Sequence, residues 1–213
     1  MKCDKRYMLL YAVTDRAWTG EQTLCEQVEA ALKGGVTCVQ LREKEMDETA
    51  FLQEAKDICA LCHRYGVPFI VNDNVDVAIA CQADGIHVGQ EDMTAGEVRR
   101  RVGDAMLLGV SVHTVEEARR AVRNGADYLG LGAVFPTSTK TDVDQMTNET
   151  LRAICDAVDV PVVAIGGINR GNLLKLSGSG VDGVALVSAI FSAEDIEDTC
   201  RKLRLLAEGM VRA

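Results

Sequence analysis

The chain of 213 residues contains little proline and no long hydrophobic run. It has 3 prolines, and no segment reaches the roughly 18 consecutive apolar residues that a membrane-spanning helix requires. The sequence also shows no linker and no low-complexity segment. These absences exclude a membrane-spanning protein. They predict that residues 1–213 form a single domain, whose core draws on a composition that is 47% hydrophobic.

Positive charge is scarce relative to negative charge. The chain has 23 lysines and arginines against 32 aspartates and glutamates, which gives a net charge of -9 and a pI near 4.9. Such a surface repels the phosphates of DNA or RNA, so a nucleic-acid partner is excluded. Cations that bind a small phosphorylated molecule must therefore be clustered at one place.

The eight cysteines lack the context of a disulfide framework. They are scattered through predicted helices and strands. The apolar run Tyr7–Val13 is followed by Thr14-Asp15-Arg16 rather than by a small-residue cleavage site, so it is predicted to be a buried first strand and not a signal peptide. Reduced thiols in a cytoplasmic protein are therefore expected.

One cysteine pair has the spacing of a metal or haem motif. Cys59-Ala60-Leu61-Cys62-His63 matches the attachment site of c-type haem. The segment lies within an amphipathic helical pattern near residues 47–65, where the cysteines occupy apolar positions, and other zinc ligands are missing. A structural role is therefore predicted for this segment.

Apolar runs and helical patterns alternate along the whole chain. Strands that are apolar throughout are typical of a parallel sheet covered by helices on its outer face. Eight repeats favour a (β/α)8 TIM barrel over the alternative, an open doubly wound sheet, because no glycine fingerprint follows the first strand. The predicted strands span residues 7–15, 38–42, 68–73, 85–89, 107–112, 128–134, 161–168 and 183–190, with helices near 21–34, 47–65, 75–81, 94–102, 114–124, 148–158, 170–177 and 194–211.

Gln40, Arg42 and Lys44 alternate with apolar or acidic residues at the end of the second predicted strand. A spacing of two places them on one face of a strand. Neighbouring cations repel each other, so this arrangement predicts a phosphate or pyrophosphate site. The alternative is an exposed strand end in which Glu43 neutralises the two cations. In a barrel, the carboxyl ends of the strands meet at one mouth, where chemistry is concentrated.

Asp73 and Asp92 are the candidate metal ligands at this mouth. Carboxylates from neighbouring strands suit Mg²⁺, which completes its shell with water and substrate phosphate. The alternative is that both are helix N-caps, since each precedes a helical pattern. His87 is predicted to be a hydrogen-bonded structural histidine rather than a catalytic base.

Two further segments have the character of phosphate-binding loops. Pro136-Thr137-Ser138-Thr139-Lys140 offers hydroxyls, amides and an ammonium, and the segment to Gln145 is predicted to close over the mouth, although such residues are also ordinary loop filler. Gly166-Gly167 and Val187-Ser188 follow the seventh and eighth strands, a frequent phosphate site in barrel enzymes. Two phosphate sites predict two phosphorylated substrates.

These segments together resemble the thiamine phosphate synthase family. The resemblance covers essentially the whole chain. It implies a (β/α)8 barrel that joins hydroxymethylpyrimidine diphosphate to hydroxyethylthiazole phosphate, with release of pyrophosphate. The matching segments are Gln40-x-Arg42-x-Lys44, Asn72-Asp73, His87 to Asp92, Gly109-Val110-Ser111, Pro136-Thr137-x-Thr139-Lys140, Ala164 to Ile168 and Val187 to Ile190.

The resemblance also implies a role for each matching residue. Arg42, Lys44 and Lys140 would be catalytic, with Mg²⁺ as the cofactor held by Asp73 and Asp92. Alternatives are a paralogous thiazole tautomerase and a non-catalytic barrel that binds a phosphate ligand. The sequence does not decide between a monomer and a homo-oligomer. The pyrimidine diphosphate would contact Gln40, Arg42, Lys44, Asn72, Ser111 and Lys140, and the thiazole phosphate would contact Thr137, Ser138, Thr139, Gly167, Val187 and Ser188.

Overall fold

Eight parallel strands close into a barrel in the computed structural model, which describes residues 3–90, 92–136 and 146–212. Each strand pairs with the next along the chain, and β8 pairs with β1. The predicted (β/α)8 barrel is therefore confirmed. The strands are β1 (Leu10–Val13), β2 (Cys38–Leu41), β3 (Phe69–Asn72), β4 (Gly85–Val88), β5 (Leu107–Val112), β6 (Tyr128–Leu131), β7 (Val162–Ile165) and β8 (Gly183–Leu186).

Helices surround the barrel and cover its outer face. Most helices are preceded by a residue whose side chain accepts a hydrogen bond from an amide of the first turn. Thr23 and Thr94 form capping boxes, in which the side chain of Glu26 or Glu97 in turn accepts from the amide of the threonine. Among the described residues, no helix combines the length and the apolar character needed to cross a membrane. The helices are α1 (Leu24–Lys33), α2 (Glu48–Arg64), α3 (Val75–Ala80), α4 (Ala95–Val102), α5 (Val115–Arg123), α6 (Asn148–Cys155), α7 (Ser188–Phe191) and α8 (Ile196–Arg212).

Several predicted boundaries were wrong, and β1, β6 and β7 all end before the predicted residue. The first strand begins at Leu10, since Lys5–Met8 forms a 3₁₀ turn. The eighth strand ends at Leu186, and the apolar run that follows it is α7; a short apolar run does not distinguish a strand from a buried helical turn. The helix expected at 170–177 is a 3₁₀ turn, Leu173–Leu176.

The strands separate two hydrophobic cores. Helix residues such as Val28, Ile58 and Leu151 pack with one set of strand residues, so this larger core lies outside the barrel. The alternate residues of the strands, including Tyr11 and Tyr128, form a smaller core that fills the barrel interior. Because successive side chains of a strand point to opposite faces, every second residue of each strand faces the barrel interior.

Four strands are fixed at the amino-terminal end of the barrel by one repeated device. The side chain of a residue just before the strand accepts a hydrogen bond from the first or second amide of the preceding strand. The amide of that same residue donates to the carbonyl oxygen of its partner. Such reciprocal pairs satisfy strand ends that would otherwise lack partners. The four residues are Thr37, Asp84, Asp127 and Asp182.

Asp127→Ala is expected to destabilise the fold by about 2 to 4 kcal/mol. Asp127 Oδ2 accepts from the Leu108 amide at 2.9 Å and pairs with Arg99, whose guanidinium also donates to the carbonyl of Gly125. The substitution leaves a half-buried guanidinium without its carboxylate. Urea denaturation checks this value. Asp57→Ala, at an exposed carboxylate bonded to a glutamine, should change stability by about 0.5 kcal/mol or less.

Candidate active site

The carboxyl ends of the strands surround a central cavity of about 980 Å³. Residues of β2, β3, β5 and β8 line it together with the loops that follow them, as expected for a barrel whose site is at the carboxyl end. Most of the predicted site residues in the described ranges therefore meet at one place. Those that line the cavity are Gln40, Arg42, Lys44, Asn72, Asp92, Ser111, Gly167, Val187 and Ser188.

Arg42 and Lys44 bring positive charge to the cavity. β2 ends at Leu41, so both cations lie in the loop after the strand, and the Arg42 amide donates to Thr14 Oγ1 at 3.1 Å. Within the part of the chain that the structure describes, neither cation forms a salt bridge. The cations are therefore available to an anionic ligand.

Glu43 does not neutralise these two cations. Its carboxylate pairs instead with Arg16, at 3.0 Å between Oε1 and Nη2, and only 6% of its side chain is exposed. Arg16 also contacts Glu54, which completes a small ion-pair network at the barrel rim. The alternative interpretation, an exposed strand end neutralised by Glu43, is wrong.

Asp73 and Asp92 approach each other at the same mouth. Neither caps a helix: α3 is capped by Asn74 and α4 by Thr94, so that alternative is also wrong. Asp73 has a left-handed backbone with φ of 61° and accepts from Asn72 Nδ2. Asp92 Oδ2 accepts from the Gly89 amide at 2.7 Å. Both carboxylates are thus held by local bonds.

Burial raises the pKa of Asp73, and the nearby carboxylate of Asp92 adds to the rise. Loss of water around the carboxyl is the main cause and the Asp92 carboxylate the next, while Asn72 and Arg42 act in the opposite direction; together they raise the pKa of Asp73 to about 6. A bound cation would relieve this repulsion. In the described residues, no group of three or more histidine, cysteine or acidic side chains forms a metal site. Two carboxylates fit Mg²⁺, which takes its other ligands from water and phosphate.

Polar side chains also meet inside the barrel, at the floor of the cavity. Gln40 Nε2 donates to Tyr11 Oη at 2.9 Å, Tyr11 Oη lies 2.9 Å from Tyr128 Oη, and Tyr128 Oη lies 3.1 Å from His87 Nδ1. His87 Nε2 lies 2.9 Å from Ser111 Oγ. We call these five residues the interior relay. The geometry agrees with the structural histidine predicted at position 87.

The two tyrosines of the interior relay were missed by the sequence analysis. Both are fully buried in the barrel interior, and burial raises the pKa of each well above the ordinary tyrosine value, so both hydroxyls keep their protons. A signal was present in the sequence: Gly109 and Gly130 occupy inward positions on β5 and β6, where a side chain would collide with the relay or press against it.

The second predicted phosphate position lies across the cavity. Gly166 and Gly167 have φ values of 98° and 66°, and a Cβ on Gly167 would lie 2.4 Å from the carbonyl oxygen of Pro136. Ser188 is the first residue of α7 and lines the same cavity. The four remaining predicted residues, Thr137, Ser138, Thr139 and Lys140, lie outside the described residues.

Comparison with known proteins decides the family. The family model described as thiamine monophosphate synthase matches residues 10–190. The chain belongs to this family. A thiamine-phosphate synthase of Clostridium tetani is 47% identical over 194 residues, which cover 91% of this chain and 93% of that protein. The thiamine-phosphate synthase of Ruminiclostridium cellulolyticum is 48% identical over 194 residues, which cover 91% and 92% of the two chains. The resemblance noted in the sequence is therefore confirmed.

A solved structure of the same family has the same fold. Thiamine phosphate pyrophosphorylase from Pyrococcus furiosus superimposes with a TM-score of 0.88 at 38% identity, covering 97% of this chain and 98% of that one. The thiamine phosphate pyrophosphorylase of Bacteroides thetaiotaomicron, with a TM-score of 0.70 at 21% identity, supports the fold alone. Family membership thus extends over almost the full length of both chains.

Proposed function

We propose that the chain is a transferase that joins 4-amino-5-hydroxymethyl-2-methylpyrimidine diphosphate to hydroxyethylthiazole phosphate, giving thiamine phosphate and pyrophosphate. The observation that carries this proposal is one cavity lined by Arg42, Lys44 and Asp92, in which neither cation forms a salt bridge with a described residue and the Asp92 carboxylate lies close to that of Asp73. This combination suits a diphosphate with its metal. Membership of the thiamine monophosphate synthase family supplies the reaction.

The diphosphate is assigned to the β2 and β3 side of the cavity. Arg42 and Lys44, with Lys140 from the loop after β6, hold the phosphate oxygens and stabilise the charge that develops on the leaving pyrophosphate. Asn72 would bind the same group. Mg²⁺ held by Asp73 and Asp92 would neutralise part of the negative charge of the departing pyrophosphate.

The thiazole phosphate is assigned to the opposite side of the cavity. The backbone at Gly167 and the start of α7 at Val187 and Ser188 offer amide and hydroxyl donors to a phosphate. Three hydroxyl residues of the loop after β6 complete this part of the proposal: Thr137, Ser138 and Thr139.

The chemistry requires no base. The thiazole nitrogen has its own lone pair, so the chain must stabilise the leaving group rather than remove a proton. The bond between the pyrimidine methylene carbon and the diphosphate oxygen breaks with its electron pair on oxygen, and the thiazole nitrogen then bonds to that carbon. We propose that bond breaking leads. Electron-withdrawing substituents on the pyrimidine should therefore slow the reaction, and equal rates across such a series would contradict this order.

The proposed activity is tested by mixing purified protein with the two substrates and Mg²⁺, and measuring thiamine phosphate by fluorescence after oxidation. Product is expected. Folded protein that yields none would contradict the proposal and favour a thiazole tautomerase or a non-catalytic phosphate-binding barrel, neither of which needs the diphosphate cations and the two carboxylates together. We propose that residues 1–213 form a single domain. The eight cysteines are free thiols, which suit a cytoplasmic enzyme.

Ser188→Ala is expected to raise the KM for the thiazole phosphate about 10-fold, because it removes a hydroxyl donor to a charged phosphate. The KM for the pyrimidine diphosphate should stay unchanged. Steady-state kinetics with each substrate varied in turn checks both values. Ser192→Ala is the matched control: it lies one turn along the chain, and its hydroxyl donates to the Ser188 carbonyl rather than facing a ligand. Equal effects of the two substitutions would argue against a phosphate contact at Ser188.

A further inference from the structure

The loop after β2 continues the alternation of the strand. Arg42 and Lys44 line the cavity, whereas Glu43 between them does not. β2 ends at Leu41, so the pairing of neighbouring strands no longer fixes the direction in which these side chains point. Contacts from outside the loop must therefore set the direction of both cations.

The backbone of this loop is fixed by Thr14, the residue after β1. The Thr14 amide donates to the Gln40 carbonyl oxygen at 2.9 Å, and the Arg42 amide donates to Thr14 Oγ1 at 3.1 Å. Thr14 is fully buried, so water does not compete for either hydrogen bond. The chain therefore leaves β2 along a defined path.

The side chain of Glu43 is held away from the cavity by Arg16. Arg16 Nη2 donates to Glu43 Oε1 at 3.0 Å, and Arg16 Nε donates to Glu43 Oε2 at 3.4 Å, which is the two-point geometry of a guanidinium and a carboxylate. Arg16 begins a short 3₁₀ turn that ends at Trp18, and Asp15 caps this turn by accepting from the Ala17 amide. Both members of the ion pair thus belong to backbone that other contacts fix.

Glu43 occupies an unfavourable place for a carboxylate. Only 6% of its side chain is exposed, and burial raises its pKa although Arg16 acts in the opposite direction. Glu54 of α2 contacts the same guanidinium and adds a second negative charge. Without Arg16, the buried carboxylate would lack its counter-charge. Its sequence neighbours Arg42 and Lys44 would then be drawn to it, which would turn them out of the cavity.

We propose that Arg16 and Glu43 are positioning residues for the diphosphate: their ion pair outside the cavity directs Arg42 and Lys44 into it. Neither member of the pair lines the cavity. The glutamate thus increases the affinity for an anion although both have negative charge. The inference rests on the proposed function, which assigns the diphosphate to these two cations.

Pyrophosphate binding tests the sign of the effect. Removal of a negative charge near an anion site by itself strengthens anion binding, because like charges repel. Loss of an anchor weakens it. We expect Glu43→Ala to weaken the binding of pyrophosphate with Mg²⁺ about 10-fold or more, measured by calorimetry. Glu43→Gln keeps an acceptor oxygen for Arg16 and should bind pyrophosphate within about 3-fold of the wild-type protein.

The partner substitution tests the ion pair itself. Arg16→Ala leaves the Glu43 carboxylate without its counter-charge and should weaken pyrophosphate binding at least as much as Glu43→Ala does. Because the two residues act as one unit, the double variant should bind pyrophosphate no more weakly than Arg16→Ala. A further loss of affinity in the double variant would show that the two residues act separately and would overturn the proposal.

Steady-state kinetics separates positioning from general damage. Glu43→Ala should raise the KM for the pyrimidine diphosphate and leave the KM for the thiazole phosphate unchanged, since the second phosphate is assigned to the opposite side of the cavity. An equal rise in both constants would contradict a positioning role. Glu29→Ala is the matched control: this glutamate of α1 accepts from Tyr65 and pairs with Lys33, and its removal should alter neither constant.

The outcomes distinguish this inference from the proposed function. If Glu43→Ala bound pyrophosphate as tightly as the wild-type protein, or more tightly, the positioning role would be wrong and the proposed function would stand. If the wild-type protein formed no thiamine phosphate while Glu43→Ala weakened pyrophosphate binding, the proposed function would be wrong and the positioning role would stand. A wild-type protein that binds no pyrophosphate would overturn both.

Discussion

Asp92→Asn is expected to lower kcat by about 100-fold to 1,000-fold, because it removes a carboxylate proposed to hold the cation at the leaving pyrophosphate. The same substitution should weaken Mg²⁺ binding, so the activity should recover in part at high Mg²⁺. Initial rates over a series of Mg²⁺ concentrations measure both effects. Asp92 lies at the cavity, and its Oδ2 accepts from the Gly89 amide, which an asparagine oxygen can still do.

The matched control for this prediction is an exposed carboxylate of α3. Asp76→Asn removes a surface ion pair with Arg101 and should leave kcat and the Mg²⁺ dependence unchanged. A similar loss of activity in both variants, or a loss in Asp92→Asn that is independent of Mg²⁺, would argue against the proposed metal site.

Asp73→Asn should combine loss of activity with a gain in stability of the metal-free protein. The pKa of Asp73 is raised in the folded state to about 6 from an ordinary value of 3.8, so folding disfavours the ionised carboxyl. The gain should be complete above about pH 6 and vanish below about pH 4, where the carboxyl is neutral in both states. Calorimetric unfolding in EDTA measures it. A lower Tm at pH 7.5 would contradict repulsion between Asp73 and Asp92.

Arg42→Lys is the second substitution with a large expected effect, about 100-fold in kcat. An ammonium retains the charge but cannot offer the planar pair of donors with which a guanidinium binds phosphate oxygens. Since charge grows on the pyrophosphate as it leaves, the loss should fall mainly on kcat rather than on KM for the diphosphate. Steady-state kinetics separates the two constants.

Arg101→Lys provides the control for this prediction. Arg101 is exposed, and its partner is the surface residue Asp76. The conservative change there should leave both kinetic constants unaltered. If Arg42→Lys retained wild-type kcat, the charge alone would suffice and the proposed two-point grip on the diphosphate would be wrong.

The barrel was predictable from the sequence because its strands are buried on both sides. Continuous apolar runs separated by helical patterns are typical of a parallel sheet covered by helices, which is either a closed barrel or an open doubly wound sheet. The end of β8 was not predictable in the same way. The apolar residues after Leu186 form α7 rather than more strand. A run so short fits the helical period of 3.6 and the strand period of 2 equally well, so only its packing in the folded barrel decides between helix and strand.

The candidate site was predictable as a collection of residue types at strand ends. The alternation of Gln40, Arg42 and Lys44 predicted an anion site on one face of a strand. β2 ends at Leu41, however, so the conformation of the following loop, not the strand, brings Arg42 and Lys44 to the cavity. Their availability depends on Arg16, which binds Glu43 from a different part of the chain. Local sequence could not show that partnership, because residues 16 and 43 meet only when β1 and β2 lie side by side.

The sequence by itself determined the repeating architecture, the excess of negative charge and the identity of the polar residues at each strand end, because these depend on local pattern and composition. Only the tertiary structure decided which polar groups contact each other. Closure of the barrel brings Tyr11 on β1 against Tyr128 on β6, although 117 residues separate them. Side-chain hydrogen bonds act over about 3 Å, so such contacts exist only once the eight strands have closed.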